Sequence, residues 1–199
     1  MNTELAPFLE NLRLTTAQSH KDLESLPLSE SIINPEITDE QYALYLSLMY
    51  DVVSDAEQNI FPLLENIIPD LNHRTKAHLI LSDLSVLDRN ILAPKSRPIT
   101  QNLNEISPGF ALGIMYVLEG SSLGGRVILK NITTALGYDG IKGASYFAGY
   151  GDKTGSVWRN FLAVMTEYES KHDAGDEIIA GANFAFDAIN DYFTENSPV

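Results

Sequence analysis

The sequence contains no cysteine among its 199 residues. This absence excludes disulfide bonds, thiolate metal sites and a cysteine nucleophile. The N-terminal stretch MNTELAPFLENLRL has no basic segment followed by an apolar core, so we expect no signal peptide. No uncharged apolar run approaches the roughly 20 residues of a membrane-spanning helix. We therefore expect a cytoplasmic protein that does not act at a membrane.

Basic residues are scarce. The chain has 13 Lys and Arg against 27 Asp and Glu, which gives a formal net charge of -14 and a pI near 4.5. Nucleic-acid binding and docking on an anionic membrane both require a basic face, so this composition argues against both. An anionic ligand would have to be bound by a few local basic side chains, because the overall field repels it.

Strand patterns and internal repeats are also missing, whereas apolar residues recur at helical spacing along most of the chain. The pattern predicts one all-α domain over residues 1–199, with 194–199 as a flexible tail. It lacks the short, regular connections of a simple four-helix bundle. The predicted helices cover residues 3–26, 38–61, 72–92, 108–136, 156–171 and 176–194.

Several of these helix ends have capping signals. Thr3 is a candidate N-cap, and Thr38 with Gln41 has the spacing of a capping box. Ser107 followed by Pro108 predicts an N-cap with proline at the first helical position. Gly137 is suited to the left-handed position that ends the same helix.

The helix that begins at Pro108 carries Gly113, Gly120, Gly124 and Gly125 within an apolar run. An interior glycine costs a helix about 1 kcal/mol relative to alanine. The first three lie on one stripe, where a second helix or a flat ligand can approach the backbone closely. The adjacent pair Gly124–Gly125 also predicts a kink. Local physics leaves helix packing and ligand binding about equally favoured.

His20 is the candidate ligand in the first helix. It lies four residues after Thr16 and three before Leu23, so we expect it to face inward. A lone inward histidine is more often a core residue. Glu24, one turn later, could however accept a hydrogen bond from Nδ1–H and leave Nε2 free for a metal. One axial histidine is what a haem requires, and Arg13 on the same face could meet an anionic group of that ligand.

Together these two segments resemble the haem oxygenase family, specifically the bacterial biliverdin-forming branch often found with bacteriophytochromes. The proximal-helix motif stands here as Leu12, Arg13, Thr16, His20 and Glu24. The distal-helix motif stands as EGSSLGGRVI, about 100 residues later. The stretch SYFAGYG followed by W..F is similar to the same branch, so the resemblance covers nearly the whole chain.

The resemblance implies a fold in which haem lies between a proximal N-terminal helix and a kinked, glycine-rich distal helix. Haem would be cofactor and substrate, opened by dioxygen and external electrons to biliverdin, carbon monoxide and ferrous iron. A ferredoxin or reductase would donate the electrons, and a bacteriophytochrome could be a functional partner. His20 would bind the iron.

The resemblance also implies roles for further residues. Gly120, Ser121, Gly124 and Gly125 would form the catalytic distal wall. In mammalian-type enzymes an aspartate follows the first glycine, whereas this chain has Ser121. Candidate propionate contacts are the basic residues Arg13, Lys130, Lys142 and Arg159. Candidate haem-packing residues, for which ordinary core packing is an equal alternative, are Tyr116, Phe147 and Phe184.

Two other functions use the same features. A haem-binding or sensing protein could keep His20 and the glycine stripe without turning haem over. A di-iron oxidase would need several inward carboxylates and histidines. Glu169 and His172 have a suitable spacing for it, but their surroundings are polar throughout, and His73 and His78 are expected at the surface. A thiaminase-like hydrolase is unsupported, because it would need a cysteine.

Overall fold

A computed structural model describes residues 7–89 and 94–197. Eight α-helices are present in this part of the chain, joined by three short 3-10 turns. The helices are α1 (Pro7–Glu24), α2 (Pro27–Ser31), α3 (Asp39–Asn59), α4 (Ala77–Val86), α5 (Pro108–Leu136), α6 (Ser145–Ala148), α7 (Thr154–His172) and α8 (Gly175–Asn196). Across these residues the β-structure amounts to one isolated bridge between Asp139 and Gly143. The all-α prediction is confirmed.

Three of the predicted helix ends are confirmed by the capping geometry. The Thr38 hydroxyl accepts from the Gln41 backbone N–H, and the Gln41 side chain accepts from the Thr38 N–H, which completes a capping box for α3. Ser107 caps α5 by accepting from the Phe110 N–H. Gly137 ends that helix in the left-handed conformation, with φ of 78°. The predicted cap at Thr3 lies outside the described residues.

The predicted third helix, 72–92, is wrong at its start. Residues Leu71–His73 form a 3-10 turn, and α4 begins only at Ala77. The reason is a tertiary contact, because the Glu57 carboxylate on α3 accepts hydrogen bonds from the backbone N–H groups of Lys76 and Ala77. A carboxylate at this position satisfies free N–H groups and favours a helix start there. The predicted end is wrong as well, because α4 ends at Val86 and Asp88 has a left-handed φ of 53°; residues 90–92 lie outside the described residues.

The predicted tail, 194–199, is wrong for its first three residues. Helix α8 continues to Asn196, and Phe193 in its last turn is buried. The Asn196 side chain donates to the Tyr192 carbonyl within the same turn. Residues 198–199 lie outside the described part of the chain.

Helix α5 is the centre of the fold and packs on α8, α7 and α6. Its crossing with α8 is unusually close. A Cβ added to Gly113 would collide with the Ile178 carbonyl oxygen, and one added to Gly181 would collide with that of Phe110. Close helix packing therefore explains Gly113, with Gly181 as its counterpart.

Buried aspartates fasten the connecting segments to this helical frame. Asp55 on α3 accepts hydrogen bonds from the backbone N–H groups of Ile99 and Thr100. Asp83 on α4 accepts from the N–H groups of Ser145 and Tyr146, where α6 begins. Buried carboxylates need such partners, because desolvation without hydrogen bonds is strongly unfavourable. These contacts hold the segments that no periodic pattern specifies.

The hydrogen-bonded helix α5 runs without interruption through Gly124 and Gly125, so the kink expected there stays a prediction. Within the described ranges, α5 is also the one helix long and apolar enough to cross a membrane by composition. Its packing against α6, α7 and α8 is that of a core helix.

Candidate functional site

Helices α1 and α8 run in the same direction. Near their N-terminal ends, a Cβ at Gly175 would lie 3.5 Å from the Phe8 ring. Further along both helices, the His20 and Phe186 rings have centroids 5.4 Å apart. Later residues of α1 therefore contact later residues of α8, as expected for two parallel helices.

Helices α5 and α8 are likewise parallel. Gly109, near the start of α5, faces Glu177 in the first turn of α8. One turn later Gly113 faces Ile178 and Ala182. Because both α1 and α5 run parallel to α8, they run parallel to each other. Residues that follow a contact between α1 and α5 therefore continue side by side.

Tyr116 provides that contact between α5 and α1. Burial raises the pKa of Tyr116, whereas the nearby Thr16 hydroxyl and the charge of Arg13 lower that pKa. The Tyr116 ring also packs on Trp158 of α7, with centroids 5.5 Å apart. His20 lies one turn beyond Thr16, and Gly120 lies one turn beyond Tyr116. This places His20 and Gly120 at the same level along two neighbouring parallel helices.

His20 is not the inward-facing residue that we expected. Its side chain is 56% exposed, because α1 turns only Leu12 and Thr16 fully into the core. Phe186 supports one side of the imidazole ring. The nitrogen closest to Glu24 is Nε2, 3.4 Å from Oε1, so the expected Nδ1 contact is absent in this conformation. The ring is accessible to a ligand, but Nε2 would first have to leave Glu24.

Gly120 and Gly124 leave the α5 backbone uncovered. A Cβ at Gly124 would meet nothing within 4 Å, and one at Gly120 would meet only the Trp158 ring, at 3.6 Å. Neither glycine is therefore required by helix packing. A flat group could lie against the backbone here, with the accessible His20 ring at the same level of α1. These residues fit a haem.

Gly125 has a different environment. A Cβ there would come within 2.7 Å of the Phe147 carbonyl oxygen, which is too close for any side chain. Phe147 itself is buried among aromatic rings, 6.3 Å from Tyr42 and 6.0 Å from Tyr45 between centroids. Helix packing therefore accounts for Gly125 and Phe147 without a ligand, and their roles at a haem stay predictions.

Ser121 and Ser122 bond back to their own helix. The Ser121 hydroxyl donates to the Leu118 carbonyl at 2.8 Å, and the Ser122 hydroxyl donates to that of Glu119 at 2.6 Å. Ser121 is exposed beside the uncovered glycines, so its oxygen can still accept a hydrogen bond.

The remaining predicted contacts are more dispersed. Phe184 is half-buried and packs on Phe110, with centroids 5.4 Å apart. The side chains of Lys130, Lys142 and Arg159 are exposed, on α5, on the segment that follows it, and on α7. No contact in the structure brings these three basic residues together with Arg13.

The sequence reasoning missed a buried ionic cluster directly before Gly120. The Glu119 carboxylate is 2% exposed and accepts hydrogen bonds from Arg74, from Lys76 at 3.0 Å and from the Tyr150 hydroxyl at 2.8 Å. We name this set (Arg74, Lys76, Glu119 and Tyr150) the Glu119 cluster. The sequence feature that indicates this cluster is the single glutamate in the apolar run GIMYVLEG, because a buried carboxylate must be paired.

The electrostatics of the Glu119 cluster favour its charged pairs. Burial of the guanidinium lowers the pKa of Arg74, but hydrogen bonding to Asp70 and the charges of Glu119 and Asp70 together outweigh burial and raise that pKa. Burial and then the charge of Glu119 raise the pKa of Tyr150, so its hydroxyl stays protonated and donates. The Arg74 guanidinium also lies over the Phe161 ring, 5.6 Å from its centroid.

Within residues 7–89 and 94–197, no three His, Asp or Glu side chains converge as metal ligands. His172 stacks on the Tyr168 ring, with centroids 4.3 Å apart, and His73 and His78 are exposed. The described residues therefore do not form the ligand set of a di-iron oxidase.

Two curated proteins are similar to this chain over most of its length. The Heme oxygenase PigA of Pseudomonas aeruginosa is 27% identical over 187 residues, which cover 92% of this chain and 89% of that protein. A Heme oxygenase of Xanthomonas campestris is 26% identical over 148 residues, covering 74% of this chain and 85% of that protein.

Solved structures match the fold. The heme oxygenase of Neisseria meningitidis, solved with NO and CO bound, has a TM-score of 0.75 and 26% identity, over 95% of this chain and 91% of that one. The enzyme of Leptospira interrogans gives a TM-score of 0.76 at 19% identity, over 96% and 100% of the two chains. The Synechocystis enzyme, solved in complex with heme, gives 0.72 at 18% identity, over 96% and 92%.

One sequence family, described as Heme oxygenase, matches residues 6–195. This range includes the accessible histidine on α1, the uncovered glycines on α5 and every helix of the fold. The family opens haem oxidatively to biliverdin. The match to this family agrees with the fold that the chain shares with the three solved enzymes. The chain belongs to the haem oxygenase family and is an oxidoreductase that degrades haem.

Proposed function

We propose that His20 is the axial ligand of the haem iron and that the backbone at Gly120 and Gly124 lies over the opposite face of the ring. The supporting observation is the position of these residues along two parallel helices. His20 lies one turn beyond Thr16, Gly120 lies one turn beyond Tyr116, and Thr16 and Tyr116 are in contact. His20 is accessible, and the two glycines have open space where side chains would stand.

Bound haem would supply the iron that activates dioxygen and the ring that is opened. This chain would contribute the shape of the site. Gly120 and Gly124 would keep side chains away from the ring face. The Ser121 hydroxyl oxygen would accept a hydrogen bond from a water molecule at the site. Tyr116 and Trp158 form an aromatic wall that limits access of solvent.

Glu24 would orient the axial ligand. In the present conformation Nε2 of His20 lies 3.4 Å from the Glu24 carboxylate. A change of the His20 side-chain rotamer would turn Nε2 away from Glu24 and free it for the iron, with Nδ1–H as the group that donates to Glu24. Arg13, exposed on the same helix, would meet a propionate.

Haem titration of a His20→Ala variant tests this assignment, with His78→Ala as a control because His78 is exposed on α4. We expect wild type and the control to give the same Soret band and His20→Ala to lose it or shift it. Adding a reductant and air should then convert the bound haem to a bilin, seen as red absorbance.

The outcomes separate the alternatives. An unchanged Soret band in His20→Ala would contradict the axial role. Haem binding by wild type without bilin formation would favour a sensing protein on the same fold, and product analysis by isomer would identify the cleaved meso carbon.

We also propose that an acidic redox protein, a ferredoxin or a flavin reductase domain, donates the electrons. Residues 120–166 carry a net charge of +3, whereas the rest of the chain carries -17. Exposed apolar side chains (Leu123, Val127 and Ile141) lie in the same segment. A basic segment with exposed apolar side chains would steer an acidic partner in spite of the negative total charge of the chain.

Charge reversal tests the donor surface. We expect Arg126→Glu together with Lys153→Glu to raise the KM for a ferredoxin about tenfold, while turnover driven by ascorbate stays unchanged. Lys95→Glu, outside the segment, is the matched control. An equal loss with both reductants would contradict a docking role. A cytoplasmic location and a bacteriophytochrome that takes up the bilin remain predictions from the sequence.

A further inference from the structure

We infer that the Glu119 cluster is a positioning device, which fixes the turn of α5 that carries Gly120 and so determines where the distal backbone lies over the haem. This inference rests on the proposed role of Gly120. Glu119 itself would not touch haem, because its carboxylate is bound by Arg74 and Lys76 before α4 and by Tyr150 before α7.

The contacts of the cluster converge on α5 from two other segments of the fold. Arg74 and Lys76 lie between a 3-10 turn and α4, and Tyr150 precedes α7. Arg74 also donates to the Val157 carbonyl, in the first turns of α7, at 3.3 Å. The Lys76 ammonium lies over the Tyr150 ring, 4.7 Å from its centroid. One carboxylate of α5 is therefore held from two sides.

The anchored carboxylate belongs to the residue directly before the proposed distal wall. Glu119 is bonded directly to Gly120, so a shift of its carboxylate shifts the peptide that would face the haem. Gly120 and Gly124 cannot fix that backbone themselves, because they have no side chains and almost no neighbours. The opposite face of the same turn has to supply the rigidity, and the Glu119 cluster is its anchor.

Stability alone does not require an ionic anchor. Replacing a buried ion pair by apolar side chains of similar volume is often neutral or stabilising. A set of directional hydrogen bonds, by contrast, defines one position and one register of the helix. A displacement of about 1 Å in a catalytic site can reduce the rate roughly 100-fold.

The test compares Glu119→Gln with Asp55→Asn. Both remove one buried carboxylate charge, but Asp55 holds Ile99 and Thr100 and, among the described residues, forms no hydrogen bond to α5. Tyr150→Phe is the milder variant, which removes one hydrogen bond to Glu119 and leaves the ion pairs.

The first readout is amide hydrogen exchange in the haem-free protein. We expect Glu119→Gln to increase exchange in residues 118–125 at least about tenfold. Asp55→Asn should increase it near residues 94–101 instead. If residues 118–125 of the Glu119→Gln variant exchange at the wild-type rate, the inference is overturned.

The second readout uses the haem-loaded protein. We expect Glu119→Gln to keep the wild-type Soret band, to broaden the distribution of biliverdin isomers and to slow single-turnover bilin formation roughly 10- to 100-fold. Tyr150→Phe should shift the isomer distribution in the same direction but by a smaller amount than Glu119→Gln. If Glu119→Gln does not fold, the result for Tyr150→Phe tests the positioning role. Wild-type isomers and rate in both variants would overturn the inference.

A failure of the proposed site gives a different pattern. If Gly120→Leu leaves haem binding and bilin formation unchanged, Gly120 is not the distal wall, whatever Glu119→Gln does. If Gly120→Leu abolishes turnover but Glu119→Gln matches wild type in exchange and isomers, the distal wall stands and the positioning role is wrong.

Discussion

Gly113 of α5 and Gly181 of α8 form a reciprocal contact, in which each would collide with a carbonyl oxygen of the other helix if it carried a side chain. The two helix backbones are therefore closer than any pair of larger residues would allow. This crossing fixes α5 against α8, and α8 in turn supports His20 through Phe186. The geometry of the proposed haem site therefore depends on a contact between two glycines.

The first prediction concerns this crossing. We expect Gly113→Ala and Gly181→Ala each to lower the free energy of unfolding by about 1–3 kcal/mol or more, because a Cβ forces the helices apart. Urea unfolding of the haem-free protein measures the loss. A change within about 0.5 kcal/mol for both variants would show that the helices are not in close contact.

The second prediction separates the two adjacent glycines of α5. We expect Gly124→Ala to stabilise the haem-free protein by about 0.5–1 kcal/mol, since its Cβ would enter open space and alanine favours a helix. Gly125→Ala should destabilise the protein, because its Cβ would meet the Phe147 carbonyl oxygen. The same urea experiment compares them, and an equal effect of the two substitutions would contradict the structure.

The third prediction concerns the Arg74–Glu119 pair. Removing one partner leaves a buried charge, so we expect Arg74→Met and Glu119→Leu each to cost about 3–5 kcal/mol. The double variant should cost less than the sum of the two. A double-mutant cycle of unfolding free energies gives the coupling energy, and additive effects would show that the two side chains do not interact.

The fourth prediction concerns pH. Burial raises the pKa of Tyr45 from 10.0 to about 12. The folded state keeps its proton between these values while the unfolded state loses it, so stability is fully present below pH 10 and falls as the pH rises through 12. Each pH unit in this window removes about 1.4 kcal/mol per tyrosine. Unfolding free energies at pH 9 and 11 measure the slope, which Tyr45→Phe should reduce.

The fifth prediction concerns Glu24. Its contact with His20 joins two side chains that are 68% and 56% exposed, so we expect Glu24→Gln to change stability by less than about 0.5 kcal/mol. If Glu24 orients the axial ligand, the same variant should shift the reduction potential of bound haem. An unchanged potential would show that Glu24 is only a surface residue.

The sequence predicted several parts of the fold because their causes are local. Thr38 and Gln41 satisfy each other's backbone groups within one turn, and Ser107, Pro108 and Gly137 define the limits of α5 in the same way. Tyr42 and Leu46, which are one helical turn apart on α3, are both fully buried. The start of α4 could not be read locally, because Glu57 satisfies its N–H groups from another helix.

The site shows the same division. The sequence by itself determined the all-α class, the pairing of His20 with Glu24 and the presence of glycines on α5, since these follow from spacing along one helix. Only the tertiary structure decided which glycine packs against protein and which stays open. It also decided that His20 is accessible and that Glu119 is paired by Arg74 and Lys76, because these properties depend on groups that are distant in the chain and adjacent in space.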